Sequence, residues 1–169
     1  MHTLIWGCYT GIALIIFTLI IYVANLYMNT ALQYFSYLFL IAGMVIGALL
    51  YRKAQPNGFM TYGRAFRVTF LIGLFASIVS MIFSYFYVKY INTGLIDEIL
   101  VIARQKVEEE LGSAGQEQID QAMVWTERFT TPLWLTVAGF LGITFWSAIF
   151  ALIISFFLQR KDPDVPKLV

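Results

Sequence analysis

The stretch AFRVTFLIGLFASIVSMIFSYFYVKY, Ala65–Tyr90, decides the fold. Between Arg67 and Lys89 it holds no charge, and it exceeds the roughly 20 mainly apolar residues that a helix needs to cross a bilayer. Basic side chains so near the two ends can reach the headgroups on their own aliphatic stems. Tyr85, Phe86, Tyr87 and Tyr90 crowd the far end, as an aromatic interface belt does.

Working outward, three more runs read as spans: about 4–24, about 34–51 and about 133–158. The first two are joined by NLYMNTALQ, Asn25–Gln33, a link short enough to force antiparallel neighbours. The last opens on Thr131-Pro132, an N-cap followed by a first-turn proline. Composition agrees: 60% of the 169 residues are hydrophobic and 12% charged, against about 25% charged in a soluble domain. A net charge of +1 gives no electrostatic case for nucleic acid. The first run lacks a basic leader and is longer than the about 7–15 apolar residues of a signal peptide, so it reads as a retained anchor. The expected fold class is all-α, a single membrane domain of four transmembrane helices.

Orientation follows from the basic residues. Arg52, Lys53, Arg64 and Arg67 fall in the link between the second and third spans, and Arg160, Lys161 and Lys167 in the tail at 159–169. Lys and Arg favour the cytoplasmic side. Both clusters lie on one side of a four-span chain, so both termini are expected in the cytoplasm. The insert at 92–131 then lies outside. It is acidic, and Ile96, Leu100, Ala103, Val107 and Leu111 recur at helical spacing. Gly112–Gly115 breaks this helix, and Ile119, Met123 (or Ala122), Thr126 and Phe129 mark a second, weaker one. The expectation is an extracytoplasmic helical hairpin, with the first stripe as a partner-binding surface.

Small residues recur every fourth position: Gly7 and Gly11, Gly43 and Gly47, Ala76 with Ser80 and Ser84, Ser147 with Ala151 and Ser155. They let helix backbones approach closely and predict packing within the bundle, or self-association of copies. Gly73 and Ser77 lie on a neighbouring stripe of the third span. No Asp, Glu, Lys, Arg or His stands at mid-span, which counts against a proton-coupled transporter. The hydroxyls there, Thr18, Thr69, Ser77, Ser80, Thr144 and Ser147, can bond to their own helix carbonyls.

Chemistry has little to work with. Cys8 and His2 are the only residues of their kinds, which excludes Cys/His zinc sites and Cys–His catalysis. Cys8 reads as a packing residue and His2 as a solvated terminal one. Glu108–Glu110 point to different faces of a helix, so they do not converge on a metal. No catalytic or metal residues and no cofactor are expected. Pro56-Asn57-Gly58 reads as a tight turn and Thr61 as the cap of the third helix, which puts Arg64 and Arg67 in its first turns. Cations at a helix N-terminus oppose its dipole by about 0.3–1 kcal/mol each, so they serve something other than helix stability. Topology is one such service. The other is an anionic lipid headgroup held by Thr61, Arg64 and Arg67.

The order of basic link, GFMTYGRAFRVTFLIGLFASIVSMIFSYFYVKYI, acidic insert, Thr-Pro and FWSAIFALIISFFLQRK resembles a domain-of-unknown-function family numbered 4199. Gly58–Ile91 and Ile149–Lys161 match best. The resemblance implies a small four-helix inner-membrane protein of the Bacteroidota. The family commonly places a proline after the third span, where this chain has Asn92-Thr93-Gly94. It implies no activity and no catalytic residue. Two functions are therefore expected in order: a non-enzymatic structural or accessory subunit bound to a membrane-protein partner or to copies of itself, then a lipid or small-molecule carrier using the bundle interior.

Overall fold

The structure is a computed structural model that describes residues 1–55, 58–111 and 116–160, without the side chains of Thr30 and Leu111. Among the described residues the chain is helical: α1 His2–Val23, α2 Thr30–Lys53, α3 Tyr62–Phe86, a π-helical turn Tyr87–Ile91, α4 Leu95–Leu111, α5 Gln116–Phe129 and α6 Pro132–Leu158. α1, α2, α3 with its π-turn, and α6 are long and apolar enough to cross a membrane, which marks a multi-pass membrane protein. The chain divides into two compact units, Met1–Ser80 with the described residues from Phe140 onward, and Met81–Gly139.

Local chemistry sets the helix ends. Asn25 takes φ 56° after α1, and the amides of Asn25 and Leu26 bond back to the carbonyls of Tyr22 and Ile21. This is a Schellman stop with asparagine in the left-handed position that usually takes glycine. Asn29 then accepts from the amides of Ala31 and Leu32, so α2 begins ahead of the expected Tyr34. Thr131 Oγ1 accepts from the Trp134 amide at 3.4 Å and opens α6 at Pro132. The expected Pro56-Asn57-Gly58 turn and Gly112–Gly115 break fall largely or wholly outside the described residues.

In the first unit, Leu14, Leu40, Met44, Ala48, Ala65, Val68, Ile72, Ala76, Ala151, Ile154 and Leu158 form the core, with Met60 from the link. The small-residue stripes sit where helices cross. A β-carbon on Gly11 would come within 2.7 Å of Val79 Cβ, and one on Gly47 within 2.9 Å of Trp6 Cβ. Gly7 faces Phe75 and Gly43 faces Thr10 with still less room. Gly73 faces Ser147, whose Cβ would lie 2.6 Å away. Ala76, Ser147, Ala151 and Ser155 are buried, and Ser80 is half-buried. Thr10, Thr18, Thr69 and Ser155 donate to the carbonyls of Trp6, Leu14, Ala65 and Ala151 in their own helices. Ser77 also meets Thr144 of α6 at 3.0 Å. Outward-facing residues such as Ile12, Ile16, Leu38, Phe145, Leu152 and Phe156 stay exposed, as lipid-facing side chains do.

In the second unit, the π-turn closes with the Asn92 amide on the Tyr87 carbonyl at 2.8 Å, a bond spanning five residues. The buried Asn92 side chain donates to Tyr87 Oη at 3.3 Å. This ends the third span at Asn92. α4 and α5 pack together, and Ile119 and Met123 are buried on α5. Ser84 is half-buried.

Gly73→Val should overpack against Ser147 and cost about 1–3 kcal/mol in a detergent unfolding titration. Gly142→Ala meets no atom within 4 Å, and should leave stability unchanged or raise it by up to about 1 kcal/mol.

Candidate functional site

The basic link is tied into the first unit rather than hanging from it. Arg52 and Lys53 end α2, where cations suit the helix dipole. The Gly58 amide bonds to the Gln55 carbonyl, and Gly58 takes φ 61°, a conformation that favours glycine. Met60 follows, buried, and pairs with Arg160 in a two-bond antiparallel bridge: Met60 N to Arg160 O at 3.0 Å, Arg160 N to Met60 O at 2.8 Å. Arg52 Nη1 donates to the Leu158 carbonyl at 3.3 Å, and Tyr62 Oη to that of Leu152 at 3.4 Å. The cations of the link and Arg160 of the tail are thus gathered at one end of this unit.

Thr61 takes the cap position of α3, its carbonyl accepting from the Ala65 amide at 2.9 Å. Arg64 and Arg67 follow, both exposed, and line an open pocket of about 340 Å³. Its other walls are Met1, His2 and Thr3 from the start of α1, Tyr51 from α2, and the apolar Val68 and Leu71. Thr61 is not among the pocket's walls. His2 departs from the solvated residue expected of it. Its ring sits edge-on to Tyr51 at 5.7 Å, and its Nδ1 is buried without a hydrogen-bond partner among the described residues. Tyr51 and His2 join the arginines only through the crossing of three helices, a tertiary fact that spacing does not encode.

The hairpin stripe is placed differently from its expected role. Ile96, Leu100, Ala103 and Val107 are half-buried on a helix that packs with α5, and the Leu111 side chain lies outside the described residues. The apolar residues left open are Val101 and Ile102 on α4 and Val124, Trp125 and Phe129 on α5. Phe129 does not join the buried face with Ile119 and Met123. It stacks on Trp125 at 6.2 Å and meets Trp134 edge-on at 5.5 Å, while Arg128 lies over the Trp125 ring. Glu108 bonds Arg104 at 2.9 Å, one turn away, and this bond raises the guanidinium pKa above its ordinary value. Glu109 and Glu110 are exposed.

Met60→Ala should cost about 2–5 kcal/mol, as truncations of buried methionine do. Met60→Pro, which removes the donated bond, should also speed amide hydrogen exchange at Arg160.

No curated protein and no solved structure matches the chain. The family described as Protein of unknown function (DUF4199) matches over residues 5–160. By that match, which takes in the spans, the link and the insert alike, the chain belongs to the DUF4199 family.

Proposed function

We propose that the protein is a non-enzymatic accessory subunit of a bacterial inner membrane, with both termini cytoplasmic and the α4–α5 hairpin outside, where it binds a membrane-protein partner. The observation that carries the reading is the hairpin's surface. Its polar, acid-rich helices keep Val101, Ile102, Val124 and Trp125 exposed, although the hairpin has an apolar seam of its own. Exposed apolar side chains on a polar element suit contact with another protein. The orientation is supported by the gathering of Arg52, Lys53, Arg64, Arg67 and Arg160 at one end of the first unit. A carrier is the second reading. It is favoured by the hydroxyls of Ser80 and Ser147, buried without partners among the described residues, near the Ser77–Thr144 pair.

Pull-down in mild detergent followed by mass spectrometry separates the two. The accessory reading expects a stoichiometric membrane-protein partner that is lost in Val101→Glu plus Val124→Glu. A lone protein retaining one specific lipid or solute would overturn it in favour of the carrier. In a Cys8→Ala background, an impermeant maleimide should label Gln105→Cys in intact cells and Gln55→Cys only after permeabilisation. The reverse pattern would overturn the orientation.

A further inference from the structure

We propose that the pocket between the start of α1, the end of α2 and the start of α3 binds a phosphate-bearing anion, with Arg64 and Arg67 as its charged clamp and His2 as a third polar contact. Three independent observations converge on it. First, the arginines line a concave site built by three helices rather than projecting from one helix end. One turn apart on α3, their guanidinium forks can engage one tetrahedral anion from two sides.

Second, among the described residues of the first unit the cations meet no carboxylate. The first unit carries Arg52, Lys53, Arg64, Arg67 and Arg160 and, among its described residues, no Asp or Glu; Asp162 and Asp164 lie outside those residues. No ion pair is made by Arg64 or Arg67 among the described residues. Uncompensated positive charge beside low-dielectric helix walls attracts an anion more strongly than the same charge in water.

Third, His2 Nδ1 is buried at the same wall without a partner among the described residues. A buried polar atom left unsatisfied is a cost that a ligand group reaching it would relieve. The other side of the pocket is apolar, Val68 with the part-exposed Leu71. Such a site suits a ligand with an anionic head and an apolar stem, and a phospholipid headgroup has both. Inorganic phosphate shares the head alone. Thr61, outside the pocket, is not part of the clamp.

The test uses the full chain purified in neutral detergent, with the shift in melting temperature read against three probes: a short-chain phosphatidylglycerol, a short-chain phosphatidylcholine and inorganic phosphate. The expected result is saturable stabilisation by phosphatidylglycerol, weakened tenfold or more in apparent affinity by Arg64→Gln plus Arg67→Gln. His2→Gln should weaken it less, and Lys53→Gln, an exposed cation outside the pocket, should leave it unchanged. Arg64→Lys plus Arg67→Lys keeps the charge, so partial retention in that variant guards against a fold defect in the glutamine pair. Competition by inorganic phosphate would identify a soluble anion as an alternative occupant of the same clamp. Equal stabilisation of the wild type and the Arg64→Gln plus Arg67→Gln variant would overturn the proposal, as would equal loss in Lys53→Gln.

Discussion

Lipid tails are as apolar as leucine, so helices in a bilayer gain little from hiding apolar side chains from their surroundings. What holds them together is fit: backbones close enough for dispersion contacts along their whole crossing. In the first unit that fit depends on the absence of side chains. Gly7 and Gly11 admit α3 to α1, Gly43 and Gly47 admit α1 to α2, and Gly73 admits Ser147 of α6. Each glycine meets an atom of another helix where its own β-carbon would stand. The stripes are therefore consumed inside the chain, and the core of Leu40, Met44, Ile72 and Ala151 is arranged around them.

The apolar helices were legible because their signal is collective. Four long runs without mid-span charge need no exact residue to be recognised, and the helices at His2–Val23 and Pro132–Leu158 carry it plainly. Punctuation was harder. Asn25 and Asn29 look alike in sequence, yet one ends a helix in a left-handed turn and the other opens the next by accepting two amides. The π-turn at Tyr87–Ile91 left no mark at all, since its cause is the buried pairing of Asn92 with Tyr87, a contact made only after the chain has turned.

The basic end was legible in part. Arg64 and Arg67 could be placed in the first turns of α3 from the run alone. Their meeting with His2 and Tyr51 could not, because it joins residues from three helices. On the hairpin, periodicity marked an apolar face but not its occupant. The stripe from Ile96 to Val107 is half-buried, and Val101 and Ile102 beside it are the open apolar residues of that helix.

The bridge between Met60 and Arg160 has a bearing on time as well as place. Its two bonds join residues a hundred positions apart, so the link between α2 and α3 cannot be fastened until α6 has left the ribosome. While translation runs, the cations of that link sit on a segment that no clasp restrains. Only when the last span closes does the bridge hold the segment that carries them.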